Sequence, residues 1–275
     1  VIRKRTATIV SVQALAAPGH YVLTFDDPET ARDARPGHFI AVGATTPANA
    51  GSSILRKPFS IYKVDPDAGL CTILFSVYGP TTSTMALYKP GDKLDFLGPL
   101  GGRVFDADPQ AAVHHVMVGG GYGVPPLNFL AKTIKAANPS AKVTLIYGAR
   151  SANLLVGDDG LREAGVEIIA CTDDGSLGVK GRVTDGLAPL LAPPILGAGG
   201  ASGGACVYTC GPTPMMRAVA ELCMAHNTPC QVSMETPMPC GIGICVGCVL
   251  KKADGTFSRT CTDGPVYPAT EVTWQ

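Results

Sequence analysis

The chain is poor in charge. Asp, Glu, Lys and Arg together make up 16% of its 275 residues, acidic and basic residues balance at 22 each, and no stripe or block of one sign occurs. A surface without a basic field cannot neutralise a phosphate backbone, which argues against nucleic acid as a partner. Long apolar runs are also missing. Spanning a bilayer takes roughly 20 consecutive apolar residues, and Pro or Gly interrupts every candidate, residues 188–200 included. The charged start Val1-Ile2-Arg3-Lys4-Arg5 is not followed by the apolar core of a secretory signal. These absences lead to the expectation of a cytoplasmic protein with no membrane partner.

What is present is apolar and turn-rich. Hydrophobic residues reach 46%, and 33 Gly and 23 Pro imply many tight connections between short elements. The length suits two domains plus a small appendage. Ten cysteines would suggest disulfides in an exported chain, but without export signals metal or redox use explains them better. They are unevenly spread: three crowd into residues 240–248, a fourth follows at 261, and six are scattered singly.

The rhythm of the chain changes twice. Up to residue 103, alternating or β-branched runs at 6–12, 21–24, 39–42, 59–64, 71–78 and 93–96 suggest a small antiparallel barrel of six strands, with one short helix over 82–88 stopped by Pro90-Gly91. Over 104–230, strands at 113–118, 143–147, 166–171 and 206–209 alternate with helical stretches, including 214–226. That pattern describes a doubly wound parallel sheet with helices on both faces. Residues 231–275 hold the cysteine loop and a hairpin, 246–252 against 257–262, turned at Asp254-Gly255. This third region is too small for a core of its own, and a metal cluster would supply the missing cross-link. The expected organisation is thus an antiparallel β-barrel, an α/β nucleotide-binding domain and a small C-terminal cluster domain.

Cys240-Gly-Ile-Gly-Ile-Cys245-Val-Gly-Cys248 has the C-x4-C-x2-C spacing of plant-type [2Fe-2S] sites, and Cys261 supplies a fourth thiolate. Gly241, Gly243 and Gly247 let the backbone wrap closely and turn its N–H groups toward sulfur. A four-cysteine zinc site is the alternative, but zinc sites usually pair two C-x2-C knuckles instead of crowding three ligands into one glycine loop.

Gly119-Gly120-Gly121-Tyr122-Gly123, between a strand and a helix opened by Pro125-Pro126 with Leu127, Leu130 and Ile134 on one face, is an arrangement that can receive a pyrophosphate. The same glycines also serve merely to make a sharp connection. No acidic residue follows at the spacing expected for a ribose contact, and Arg150 ends the next strand instead, leaving NADH and NADPH both open. Cys210-Gly211-Pro212 and Thr172-Asp173-Asp174-Gly175-Ser176 lie at further strand ends, where such sheets bind ligands; each also reads as an ordinary connection. His114, His115 and His226 have no matching partners and are expected at the surface or as caps.

Taken together, L-R-K-P-F-S-I at 55–61, T-T-S-T at 81–84, L-G-P-L-G at 97–101, G-G-G-Y-G-V-P-P-L at 119–127, T-D-D-G-S at 172–176, C-G-P at 210–212 and S-M-E-T-P-M-P-C-G-I-G-I-C-V-G-C at 233–248 resemble the electron-transfer subunits of class B dihydroorotate dehydrogenase, built like ferredoxin reductases. The resemblance implies FAD in the first domain. It puts the family's Arg-Pro-x-Ser motif on Lys57, Pro58, Phe59 and Ser60, lays Ser76 and Val77 along the isoalloxazine, and places the phosphate turn at Thr82, Ser83 and Thr84. Lys57 stands where the family has Arg, exchanging a bidentate fork for a point charge, with Arg56 the candidate to compensate. Ser83-Thr84 replaces the family's Gly-Thr. NAD(P) would lie at Gly119, Gly120, Gly121, Gly123 and Asp173, with Cys210 beside the hydride path and Glu235 near the flavin. The implied partner is an FMN-containing dihydroorotate dehydrogenase catalytic subunit, in a heterotetramer.

A nicotinamide moves electrons in pairs and a [2Fe-2S] cluster one at a time, so a flavin between them meets a chemical need. Rivals remain at this stage, among them other flavin/iron-sulfur reductase subunits with four cysteines. Another is the small subunit of a ferredoxin-dependent NAD(P) transhydrogenase, whose family has Asp at the first cluster ligand, where this chain has Cys240. The last is a zinc-tied module that binds a nucleotide as a regulatory ligand.

Overall fold

The structure, a computed structural model, describes residues 3–44, 55–106, 108, 114–191 and 204–274. It divides into two compact units. One comprises Val1–Val104, Glu235–Leu250 and Phe257–Pro265; the other comprises Phe105–Met234, Lys251–Thr256 and Val266–Gln275. The C-terminal residues therefore belong partly to each.

In the first unit six strands form a closed barrel in the order β1-β2-β5-β4-β3-β6. They are β1 (Lys4–Ala14), β2 (His20–Asp26), β3 (Phe39–Gly43), β4 (Lys57–Asp65), β5 (Leu70–Ser76) and β6 (Lys93–Leu100). All neighbours run antiparallel, and β6 closes the barrel by pairing with both β1 and β3. Strand β6 shows why the sequence makes a barrel wall. Leu94, Phe96, Gly98 and Leu100 turn inward, while the residues between them keep contact with solvent, the period of two that a one-sided sheet requires.

Two short helices interrupt the barrel. α1 (Pro28–Asp33) starts where the Asp27 carboxylate accepts the Thr30 N–H at 3.2 Å, with Pro28 in the first turn. Its six residues are too few to show a helical period in the sequence. α2 (Pro80–Ala86) begins two residues before the expected start, since Pro80 opens its first turn.

The second unit carries a seven-stranded sheet ordered β10-β9-β8-β7-β11-β12-β15. Its strands are β7 (His114–Gly120), β8 (Lys142–Ala149), β9 (Glu167–Thr172), β10 (Val179–Lys180), β11 (Ala205–Cys210), β12 (Cys230–Ser233) and β15 (Val266–Pro268). Six are parallel, and β15 adds an antiparallel edge to β12. Residue 113, expected to begin β7, and residues 192–200 of the expected apolar stretch lie outside the described residues. Every residue of β7 is buried, as a strand covered on both faces must be. α3 (Val124–Ala137) and α5 (Thr213–Ala225) fall where expected, and Leu127, Leu130 and Ile134 of α3 are fully buried.

α4 (Val183–Leu191) was hidden by Gly186 and Pro189, both unfavourable inside a helix. Gly186 is needed there, because a Cβ would come within 3.0 Å of the Cys171 sulfur and 3.1 Å of the Ile146 side chain. The histidines differ from expectation. His114 and His115 are buried in β7, where His114 Nε2 lies 2.7 Å from the Thr144 hydroxyl and His115 Nδ1 lies 3.1 Å from the Tyr208 hydroxyl. Their place at the start of a doubly covered strand buries His115 fully and leaves His114 9% exposed. Only His226 is a cap, closing α5. Among the described residues no helix is long and apolar enough to cross a membrane.

The Gly119–Gly123 connection has a packing reason. A Cβ on Gly123 would lie 1.9 Å from the Cys210 carbonyl oxygen, an impossible approach to backbone, whereas one on Gly79 would meet nothing within 4 Å. Gly123→Ala should therefore push β11 away from β7 and lower the first thermal unfolding transition by roughly 5 °C or more. Gly79→Ala should leave it nearly unchanged; differential scanning calorimetry of the pair separates the two.

Candidate functional site: the cysteine loop and its barrel support

The cysteine loop runs over residues 240–248 and is followed by a small hairpin of β13 (Val249–Lys251) and β14 (Phe257–Arg259), close to the hairpin expected. Cys261 follows β14 directly. The loop turns through left-handed backbone at Gly241 (φ 71), Gly243 (φ 80) and Val246 (φ 54). For a β-branched residue that conformation costs about 1–3 kcal/mol, so the surrounding loop dictates it. The result is a backbone with its N–H groups aimed at sulfur. Ile242 and Cys245 N–H groups both donate to Cys240 Sγ at 3.5 Å, and Gly247 N–H donates to Cys245 Sγ at 3.4 Å.

Residues outside the motif brace it. The hydroxyls of Thr236 and Thr260 donate to the Cys248 carbonyl at 3.3 and 3.0 Å. Arg259 Nη1 donates to the Gly243 carbonyl at 3.2 Å while its guanidinium pairs with Asp263. Cys248 and Cys261 sit in a buried cluster with Phe39, Ala41 and Leu100 of the barrel, against which Met238 and Ile242 also pack. A Cβ on Gly102 would strike the Thr262 carbonyl, and Gly102 and Arg103 N–H groups both donate to the Gly264 carbonyl, at 2.7 and 2.9 Å. The expected L-G-P-L-G segment thus runs into the support for Cys261. None of these braces was singled out beforehand, although Arg259, Thr260 and Asp263 flank Cys261 in sequence.

The electrostatics favour thiolate at the loop's outer edge. Desolvation pushes the Cys240 thiol up, but N–H groups of Cys245 and Ile242 together outweigh it and bring the pKa to about 6. Desolvation and the neighbouring Cys248 push Cys261 up to about 12; ligation to iron would deprotonate it outright. N–H groups turned to sulfur, glycines where the backbone must wrap, three thiols on the loop and Cys261 Sγ 3.2 Å from Cys248 Sγ fit a [2Fe-2S] cluster. Among the described residues no three His, Cys, Asp or Glu side chains are grouped as they would be around a metal ion.

The expected flavin residues lie on the barrel. Lys57 is exposed on β4 and has no ion pair among the described residues, beside exposed Pro58, buried Phe59 and half-buried Ser60. Arg56, the candidate to compensate, is already engaged. Its guanidinium is held by the Asp95 carboxylate at 2.7 Å and by the Asp95 and Ala41 carbonyls, so Lys57 is the remaining cation of that pair. Ser76 is buried and Val77 exposed. Thr82 is engaged: its hydroxyl accepts Tyr78 and Gly79 N–H groups and donates to the Gly79 carbonyl, clamping the start of α2. Thr84 is also buried, and Ser83 faces solvent. A lysine with no ion pair among the described residues and, on α2, an exposed Ser83 hydroxyl are groups of the kind that can meet a phosphate-bearing cofactor.

At the nucleotide turn, Gly119 and Gly120 pack against Val124 and Leu127, and against Met215, respectively, while Gly121 (φ 53) faces open space. Pro125 and Pro126 remove two N–H donors from the first turn of α3. Cys210, 2% exposed, belongs to the same buried cluster as Val124 and Leu127. Asp173 is exposed, its N–H bonded to the Ala149 carbonyl at 3.2 Å. Glu235 keeps an exposed surface, yet desolvation raises its carboxyl pKa.

Residues 235–273 match the iron-sulfur cluster binding domain of dihydroorotate dehydrogenase B, and residues 117–221 the oxidoreductase NAD-binding domain. Over 95% of both chains, the sequence is 34% identical to the electron transfer subunit of dihydroorotate dehydrogenase B (NAD(+)) from Desulforamulus reducens. It is 36% identical to that of Bacillus caldolyticus over 98% of both. The chain belongs to this family of electron-transfer subunits. Among solved structures it resembles a chain of the NADH-dependent reduced ferredoxin-NADP oxidoreductase, with a TM-score of 0.81 and 28% identity over 98% of this chain and 90% of that one. A ferredoxin NADP+ reductase from Neisseria gonorrhoeae, with bound FAD and NADP, shares the fold at a TM-score of 0.64 and 15% identity, over 81% of this chain and 91% of that one.

Membership makes the acidity of the outer thiol a useful test of this member. In protein stripped of iron, alkylation of Cys240 should rise through an inflection near pH 6, because the thiolate is the reactive form. Cys206, whose thiol desolvation pushes up, should label only at higher pH. Peptide mass spectrometry across a pH series gives both profiles.

Proposed function

We propose that this chain is the electron-transfer subunit of an NAD-linked dihydroorotate dehydrogenase, working with an FMN-containing catalytic subunit in pyrimidine biosynthesis. It is an oxidoreductase subunit that passes electrons between NAD(P)(H) and its partner through FAD and a [2Fe-2S] cluster. The observation that carries this reading is the joint presence of a four-cysteine loop with N–H groups turned to sulfur and full-length identity of 34–36% to subunits of that name. The oxidation of the organic substrate takes place in the partner.

The residues have separable tasks. Cys240, Cys245, Cys248 and Cys261 hold the cluster, the Ile242, Cys245 and Gly247 N–H groups offset the negative charge on its sulfurs, and Phe39, Ala41 and Leu100 back it with apolar surface. Lys57 and Ser83 meet the flavin phosphates, with Pro58, Phe59, Ser60, Ser76 and Val77 along the cofactor and Thr82 and Thr84 shaping the turn. Gly121 gives the nucleotide its open approach; Gly119, Gly120 and Gly123 keep that turn close to β11, and Asp173 lies at the next strand end. Cys210 acts in this scheme as a small buried support for the nicotinamide pocket, and Glu235 as the carboxyl group nearest the flavin. FAD, when bound, converts between the paired electrons of a nicotinamide and the single electrons a cluster carries. The functional domains are the barrel to residue 103, the nucleotide sheet over 104–230 and the cluster region over 231–275. The ten thiols are all unbridged, which suits the reducing cytoplasm.

The likeness to the reduced ferredoxin-NADP oxidoreductase chain supports a second reading, the small subunit of a transhydrogenase. Cys240 at the first ligand position favours the dehydrogenase.

Cys245→Ser should lose iron and acid-labile sulfide while retaining FAD. Reconstituted with the catalytic subunit, the wild-type chain should let dihydroorotate reduce NAD⁺; the variant's flavin should still be reduced by NADH, but dihydroorotate should no longer drive NAD⁺ reduction. Undiminished iron in the variant would remove Cys245 from the ligand set. Failure of the wild-type pair to couple the two reactions would reject the dehydrogenase assignment.

A further inference from the structure

We infer that Ser176 is a positioning residue for the nucleotide: its hydroxyl ties the loop over 172–177 to the end of β8 and so holds Asp173 where the adenosine half of NAD(H) docks. This rests on the nucleotide assignment above and deepens it by giving the T-D-D-G-S segment a task.

A doubly wound sheet receives a dinucleotide outside the C-terminal ends of its strands. The pyrophosphate meets the first strand-to-helix turn, and an acidic residue at the end of the next strand takes the ribose hydroxyls. Here the turn is Gly119–Gly123, and β8 runs out into Ala149-Arg150-Ser151 without an acid. The adjoining strand supplies one. Beyond β9 the chain bends back onto β8, so that the Asp173 N–H donates to the Ala149 carbonyl and the Asp174 N–H to the Arg150 carbonyl, both at 3.2 Å. Both aspartates are exposed, but they are not equivalent. The Asp174 carboxylate is engaged inside the loop, accepting the Ser176 N–H at 2.9 Å and its hydroxyl at 2.6 Å. These bonds hold its carboxyl below the usual range. The Asp173 carboxylate has no such partner among the described residues and stays open to a ligand.

The bend is fastened twice. Fully buried Thr172 closes its base, accepting the Leu177 N–H at 3.1 Å and donating to the Leu177 carbonyl at 2.8 Å. Ser176 makes the crossing to the neighbouring strand end: its hydroxyl accepts the Ala152 N–H at 2.8 Å while donating to Asp174. Ala152 begins a short turn, Ala152–Leu154, two residues past Arg150. One hydroxyl thus joins the end of β8 to the carboxylate beside Asp173. Alanine at 176 would release both partners, and water can reach them because the loop is exposed. The loss therefore falls on the placement of the loop and not on the fold.

The test is anaerobic stopped-flow reduction of the FAD in the intact chain with its cofactors. Ser176→Ala should raise the half-saturating NADH concentration roughly three- to tenfold, as expected for one lost hydrogen bond, and leave the limiting rate unchanged. Ser176→Thr keeps the hydroxyl and should restore the wild-type value. Reduced nicotinamide mononucleotide lacks the adenosine half and should show the same concentration dependence with wild type and Ser176→Ala. An unchanged NADH dependence in Ser176→Ala, or a shift shared by both donors, would overturn the inference and leave the nucleotide assignment standing. Failure of NADH to reduce the wild-type flavin would overturn that assignment, and this inference with it.

Discussion

Backbone N–H groups turned toward sulfur are the interaction on which the rest of this structure depends. Ile242, Cys245 and Gly247 can aim at Cys240 and Cys245 only because the chain passes through left-handed conformations at Gly241, Gly243 and Val246. At two of these three positions glycine makes that free of steric cost. At Val246 a β-branched residue accepts the strain, so the sequence gives up some local stability to keep the wrap closed. Such a wrap cannot be held by its own nine residues. Its stiffness comes from Thr236, Thr260 and Arg259, which fix loop carbonyls, and from the apolar barrel residues behind Cys248 and Cys261.

The same dependence explains how the C-terminal region folds without a core. Its residues are shared between the two compact units, and β15 continues the nucleotide sheet as an antiparallel edge. Gly102 and Gly264 join the end of the barrel wall to the segment after Cys261. Burial then divides the thiols. Those backed by the barrel are sealed from water, and those on the loop's outer turn are not.

Much of this was legible in the sequence where one local signal acted alone. Six alternating runs gave six barrel strands, and the strand-helix rhythm after residue 103 gave the parallel sheet, because periods of 2 and 3.6 follow directly from which face is buried. The cysteine spacing was legible for the same reason. What escaped required knowledge of contacts between distant parts. Gly186 and Pro189 disguised α4, since the glycine is there for its approach to Cys171 and Ile146. His114 and His115 looked polar enough for the surface, yet their hydrogen bonds to Thr144 and Tyr208 make burial tolerable. Arg56 and Lys57 are adjacent in sequence, and only the fold reveals that Asp95 occupies Arg56 while Lys57 has no ion pair among the described residues. The glycine turn read as a nucleotide signature is, at Gly123, first of all a place where two backbones touch.

The central claim is that this loop holds a redox-active [2Fe-2S] cluster, and low-temperature electron paramagnetic resonance tests it most directly. Anaerobically purified protein reduced with dithionite should give a spin-half signal of about one spin per chain. A protein that stays silent after reduction while carrying one tightly bound zinc would contradict the account.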